Sequence, residues 1–223
     1  MAKRTAKKTA SSAATAAAPA PLYRFAMVAS DRHWSPAVVN EALSAELSRP
    51  DAAKYVALRM PNLSRLVTVA ETERLVALME ANPMCAALSV AILDGHAHSK
   101  ATPTSPNYRP VPFVELAFVV FRTDAIKSVG VLNEAFEYGW GADIDLSMRL
   151  RRAHYEVAVT ESVAVSRNGG VVDYGMPQAK YLAAAEASMI QVLTENYGAD
   201  GYAELQNGFP NAHFEWAWKK KRP

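Results

Sequence analysis

Asp143 and Asp145 head the run Asp143-Ile144-Asp145-Leu146-Ser147-Met148-Arg149-Leu150, whose apolar residues recur at helical spacing. A carboxylate at a helix start stabilises the exposed amides and the positive end of the helix dipole. Asp145 and Arg149, four residues apart, are spaced to pair on the helix surface, an interaction worth about 0.2–0.5 kcal/mol. Arg167, followed by Asn168, carries planar donors that match a phosphate group. Asn62 offers one neutral oxygen, whereas nearby Met60 is a poor ligand for Mg2+ or Mn2+, which favour hard oxygen donors. His96 and His98 stand at the spacing with which two strand histidines share a metal, but Asp94 is the one carboxylate beside them. Cys85, the single cysteine, reads as a small buried residue and not a reactive thiol.

The elements that must position these residues follow from apolar patterning and its punctuation. Residues 25–29 form a short apolar run, expected to be a buried strand. Ser35-Pro36 supplies an N-cap and a first-turn proline for a helix carrying Val38, Val39, Leu43 and Leu47. Residues 55–58 are the next strand, and strand, helix and strand in this order predict a parallel βαβ unit. A second helix spans 69–81 and ends at Asn82-Pro83, and a third strand spans 86–93, closed by Asp94-Gly95. Residues 96–112 read as a loop long enough to be functional. Beyond it the pattern predicts a β-prone run at 113–121 and a short helix at 123–129. A helix at 143–153 should turn Leu146 and Leu150 inward and Arg149, Arg151 and Arg152 outward. Strands at 155–159 and 163–165 and a long amphipathic helix at 179–197 complete the pattern.

The chain has 223 residues, 50% of them hydrophobic, enough for one domain with a substantial core. Residues 1–21 are almost entirely Ala, Lys, Thr, Ser and Pro and are expected to be a flexible tail. Residues 22–206 are the expected domain, and 207–223 form a Trp- and Lys-rich extension. A formal charge of +2 is too small to imply nucleic acid as the main partner, and the basic end runs read as solvated tails. No stretch approaches the ~20 apolar residues that cross a bilayer. A lone cysteine excludes an intramolecular disulfide, and the Ala- and Ser-rich start has no secretory core. A soluble, cytoplasmic protein is the expectation.

The segment from Ala117 to Gly170 resembles the second half of the catalytic domain of family 2 glycosyltransferases. That family shows an apolar strand ending in Arg, a short helix, a Gly-Phe-Asp-Glu-x-Phe turn, then Glu-Asp-x-Asp-Leu-x-x-Arg-Leu. Phe121-Arg122, Leu132-Asn133-Glu134-Ala135-Phe136, Asp143 to Leu150 and His154-Tyr155 occupy those places in order. More weakly, Asp31 to Asn40 resembles the family's Asn-Arg-Gly-Phe segment, and residues 55–63 resemble the strand that delivers its metal-binding motif. The resemblance implies an α/β fold of the GT-A kind, a mixed and mostly parallel sheet flanked by helices. It also implies transfer of a sugar from a nucleotide-sugar donor to the hydroxyl of an acceptor glycan. Asp143 takes the place of the base. Asn62, Arg167 and Asn168 fall on the donor side, and Trp140, Asp145 and Trp34 on the acceptor side. Mn2+ or Mg2+ is the implied cofactor. The two tryptophans either stack on sugar rings or pack as ordinary core residues.

Four departures qualify this implication. The family's opening nucleotide-binding strand, helix and strand have no counterpart except the tail, so residues 25–29 are expected to close up against 55–58 in a smaller sheet. The metal-motif position reads Met60-Pro61-Asn62, the usual Glu is Ala142, and the usual His is replaced by Arg167-Asn168. A second implication is therefore open: a GT-A-like binding or structural subunit that kept the fold, lost the chemistry and docks on a protein partner. A third is a split enzyme whose missing half belongs to another chain. His154 takes the family's Gly place after a helix, where a left-handed cap is expected.

Overall fold

The computed structural model describes residues 21–29, 35–95, 99–100, 108–167 and 176–206, with side chains to residue 201. The expected tail, Trp34, His96, His98, Asn168 and the extension from 207 onward lie outside the described residues.

Among the described residues six strands form one sheet. They are β1 (Tyr23–Met27), β2 (Tyr55–Arg59), β3 (Cys85–Ile92), β4 (Arg109–Pro110), β5 (Phe118–Arg122) and β6 (Glu156–Val165). Five helices flank them: α1 (Pro36–Leu47), α2 (Val69–Ala81), α3 (Thr123–Val129), α4 (Ala142–Arg152) and α5 (Gln178–Gln206). The sheet order is β1-β2-β5-β3-β6-β4. β1 with β2 and β3 with β6 are parallel pairs, while β5 runs antiparallel to both β2 and β3, and β4 antiparallel to β6. Four strands thus share one direction and two oppose it, which is the mixed, mostly parallel α/β architecture expected. β1 closes directly onto β2, with Tyr23 opposite Tyr55 and Met27 opposite Arg59, as the shortened sheet requires.

The helices start where their local chemistry says they should. Ser35 caps α1 by accepting from the Val38 N–H at 3.4 Å, with Pro36 in the first turn. Thr68 and Glu71 make a reciprocal capping box at the head of α2, and Arg65 pairs with Glu71 at 2.9 Å. Asn40, at the end of one resembling segment, bonds both ways to the backbone of Leu132 in the other, each bond 2.9 Å long. The two sequence motifs are thereby one structural contact.

Several expectations need correcting. The strands expected at 155–159 and 163–165 are the single strand β6. It is bulged where pairing jumps from Val90–Thr160 to Ala91–Ala164. Thr160 and Ser162 bond to each other at 2.8 Å inside that bulge, so a polar stretch that reads as a break is accommodated within the strand. Of the β-prone run at 113–121, only the part from Phe118 joins the sheet. The Val114 N–H donates instead to Ser147 Oγ of α4 at 3.2 Å, and residues 113–117 turn aside. Arg149 does not point outward: its guanidinium donates to the carbonyls of Val129, Gly130 and Val131, which closes the end of α3. The last helix runs on to Gln206, with a break at Gly198 (φ 76°) one residue past the expected end. His154 takes the left-handed conformation (φ 68°) expected of it.

Both faces of the sheet are buried. One packs Val56, Leu58, Val119 and Phe121 against α1, α3 and α4, and the other packs Tyr55, Leu88, Phe118 and Val120 against α2. No helix among the described residues is long and apolar enough to cross a membrane.

Candidate functional site

Because β1, β2, β3 and β6 run the same way, their carboxyl ends meet at one end of the sheet. Ligands of such sheets bind there, where the chain leaves the strands. The chain leaving β2 passes through Met60, buried in the core, to exposed Asn62. The chain leaving β6 reaches Arg167. Leu63 and Arg167 form an antiparallel bridge between the two, backed by bonds from Ser64 N–H to the Ser166 carbonyl (2.8 Å) and from Ser166 N–H to Ser64 Oγ (2.9 Å). Asp94 follows β3 and accepts from the Arg167 backbone N–H at 3.0 Å. Glu115 precedes β5, which starts at this end because it runs in reverse.

These segments surround a cavity of about 500 Å³. Asn62, Trp140, Asp143 and Arg167 all line it, although they come from three separate stretches of sequence. Asp94, Glu115, Tyr181 and Met189 line it as well.

Asp143 reaches the cavity because of Gly141. That residue sits at φ 85° and starts α4. A Cβ there would meet Met189 at 2.7 Å and the Phe136 ring at 2.9 Å, so the turn needs glycine for both its backbone angle and its space. Trp140 stands between Gly141 and Gly139 (φ 78°), 39% exposed at the cavity rim. Asp143 is the second residue of α4, not its cap. Its Oδ1 accepts from the Ile144 N–H at 2.9 Å. Burial pushes its carboxyl up to about 7, and the nearby Glu115 charge adds to that rise; the Ile144 N–H and the Arg167 charge oppose it. A carboxyl so placed exchanges a proton near neutrality.

Asp145 does not join the site. It points to the other side of α4, 2% exposed, where it accepts from Arg149 Nε at 2.8 Å, the Tyr197 hydroxyl at 2.7 Å and the Asn196 amide at 3.3 Å. The acceptor-side place that the resemblance implies for it is therefore corrected. The Asp145–Arg149 pair is present but half-buried rather than on the surface, and the Tyr197 and Asn196 bonds to Asp145 fasten α5 to α4. Through that fastening α5 brings Tyr181 and Met189 over the cavity. Cys85 is buried at the far end of the sheet, where burial pushes its thiol up to about 12, as an inert residue requires.

Tyr181 and Met189 carry no mark of the cavity in the sequence, and Asp94 reads there only as the close of a strand and a carboxylate beside two histidines. Glu115 did leave a signal: it is a lone charge inside the apolar run from Val111 to Phe121. Its partner is Arg167, whose guanidinium it contacts directly. The Arg167 Nε–H is buried and has no acceptor among the described residues.

The donor set does not suit Mg2+ or Mn2+. Among the described residues no three of His, Cys, Asp and Glu converge as metal ligands, and Asn62 supplies only a neutral oxygen where the family implies a carboxylate.

No protein-family model matches the chain. It is 27% identical over 136 residues to uncharacterized protein Rv1525 of Mycobacterium tuberculosis (strain ATCC 25618 / H37Rv) and, to the same extent, to uncharacterized protein Mb1552 of Mycobacterium bovis (strain ATCC BAA-935 / AF2122/97). Each match covers 60% of this chain and 52% of the relative, so the chain spans about half the length of the curated relatives it matches. Among solved structures, it is similar to GalNAc-T7 crystallised with UDP, GalNAc and Mn2+. The TM-score is 0.44 at 9% identity, over 57% of this chain and 30% of that one. It is also similar to the catalytic domain of Drosophila beta1,4-galactosyltransferase 7 in complex with xylobiose. Here the TM-score is 0.35 at 13% identity, over 65% of this chain and 52% of that one. Both overlaps are partial, and what the cavity can do follows from its own residues.

Proposed function

We propose that residues 22–206 form a GT-A-like glycosyltransferase domain that transfers a sugar from a nucleotide-sugar donor to an acceptor hydroxyl, with the cavity at Asp143 as its site. The observation that supports this reading is the meeting of Asp143, Asn62, Arg167 and Trp140 around one cavity, four residues that the family resemblance assigns to a single site. The acceptor oxygen attacks the anomeric carbon as the bond from that carbon to the diphosphate oxygen breaks. The nucleoside diphosphate leaves with the electron pair, and the acceptor proton passes to the Asp143 carboxylate. Arg167 holds the phosphate with its planar donors, Asn62 bonds to the donor through its amide, and Trp140 offers a face for the sugar ring. A lone buried cysteine suits a reducing compartment, so the cytoplasm is the proposed location. Calorimetry with UDP-, GDP- and dTDP-sugars, with and without Mn2+, tests the reading. Binding that Arg167→Gln abolishes is expected; no heat and no thermal shift with any of the sugars would overturn it.

One observation favours a second reading, a binding subunit without chemistry. Arg167, the cation of the described cavity wall, is already engaged by Glu115. On that reading the protein forms a stable complex with a protein partner and shows no turnover that depends on Asp143.

A further inference from the structure

The described cavity wall carries three carboxylates, Asp94, Glu115 and Asp143, against one guanidinium, Arg167. A phosphate entering such a space meets repulsion unless that guanidinium turns to it. Glu115 already holds it: the two side chains are in direct contact, Glu115 14% exposed and Arg167 37%. The Glu115 carboxylate has a berth made for it. Its Oε2 lies 2.5 Å from where a Cβ on Gly95 would sit, so a larger residue at 95 would make the carboxylate shift. The berth is closed from below by the tight turn after β3, in which the Gly95 N–H donates to the Ile92 carbonyl at 3.1 Å. Arg167 is held in turn by the bridge to Leu63 and by its N–H bond to Asp94. Its Nε–H nevertheless stays buried without an acceptor. A guanidinium carried on a backbone so held, opposed by one carboxylate and still carrying an unused donor, is suited to exchange one anion for another.

We propose that Glu115 is the resident anion of this site, holding Arg167 in place until a diphosphate group displaces it, and that Glu115 thereby sets which anions the site accepts. A diphosphate spans two linked phosphoryl groups, so its oxygens can replace the carboxylate and reach the unused Nε–H together. Glu115 is a specificity residue here and takes no proton in the transfer. The inference rests on the donor reading above, since it assigns the diphosphate to the same cavity.

The test is calorimetric titration of pyrophosphate and of inorganic phosphate into the full chain, wild type and Glu115→Gln, at pH 8 in the presence of EDTA. Glu115→Gln removes the competing charge and keeps the shape. It should bind pyrophosphate roughly tenfold more tightly than wild type and should also acquire measurable phosphate binding. The double variant Glu115→Gln with Arg167→Gln should lose both gains. Glu115→Ala, checked by thermal melting, serves if the Gln variant does not fold. Unchanged or weaker pyrophosphate binding in the Glu115 variants overturns the exchange, as does a gain that survives Arg167→Gln. The two readings fail separately. If nucleotide sugars bind wild type while Glu115→Gln leaves pyrophosphate unchanged, the exchange falls and the donor reading stands. If pyrophosphate behaves as stated while nucleotide sugars do not bind, the donor reading falls alone. If no variant binds pyrophosphate, the exchange falls and the nucleotide-sugar titration alone decides the donor reading.

Discussion

Helix α4 carries two carboxylates two residues apart, and they live in opposite conditions. On one side Asp145 is almost fully buried, yet every lone pair that matters is used, by Arg149, Tyr197 and Asn196. On the other side Asp143 opens into a cavity with the Ile144 N–H as its hydrogen-bond donor, and burial lifts its carboxyl to about 7. The same residue type on the same helix is thus an architectural bolt on one face and a cavity-lining carboxyl raised by burial on the other. Partners decide the difference, and burial alone does not. A carboxylate that spends its acceptors on the fold has nothing left for a ligand.

Predictions follow from that contrast, the largest first. If Asp143 is the base, Asp143→Asn should lower sugar transfer roughly a hundred- to ten-thousand-fold in a turnover assay. Wild-type turnover should rise with pH through about 7, because the base works only once its proton has gone. A flat pH profile with an active Asn variant would erase the contrast.

Asp145→Asn should act on stability instead. It weakens a buried charge pair and two further bonds, and should cost about 3 kcal/mol in denaturant unfolding. Donor affinity should suffer only as far as α5 loosens and takes Tyr181 away from the cavity. An Asn variant of unchanged stability would mean that Asp145 is not the bolt described.

Stability should also depend on pH through Asp143. The folded carboxyl of Asp143 sits at about 7 against an ordinary 3.8, so the folded state keeps this proton more tightly than the unfolded chain. Below about pH 4 both states hold it and nothing is gained or lost. Between about 4 and 7 the unfolded chain releases it first, so rising pH lowers stability. Above 7 the full penalty is in place, on the order of 3 kcal/mol once partial contact with the open cavity is allowed for. Asp143→Asn should therefore be more stable than wild type at pH 8 and equal to it near pH 4. Unfolding curves at the two pH values measure this directly. Smallest of all, Trp140→Ala should weaken donor or acceptor binding roughly fivefold with little effect on folding, since the ring is at the rim and offers one stacking face.

The parts of this molecule that could be read in its sequence are those governed by neighbours in the chain. Ser35-Pro36 announced α1, and Asn82-Pro83 closed α2. The Arg122 that ends β5 marked the start of α3, and all three helices lie where the pattern puts them. The pairing of β1 with β2 follows from two apolar runs joined by one helix, the pattern of a parallel βαβ unit. What was not readable depends on residues far apart. Leu63 and Arg167 meet by a bridge across more than 100 positions, and that bridge sets Asn62 beside Arg167. β6 looked like two strands because its bulge is polar. Arg149 looked like a surface charge because nothing local reveals that three carbonyls of the α3 end await it. The family resemblance singles out Asp143, whereas its raised carboxyl comes first from burial among distant segments, with the Glu115 charge adding to it, and no spacing rule connects these.

The most direct measurement is an NMR titration of the isotopically labelled chain with UDP-, GDP- and dTDP-sugars, following the Asp143 and Asp145 carboxyl carbons and the Trp140 indole N–H. Binding of one of these sugars should shift Asp143 and Trp140 and leave Asp145 where it was. Shifts confined to Asp145 and the α5 contact, or to residues away from the cavity altogether, would contradict the division of α4 into a working face and a structural one.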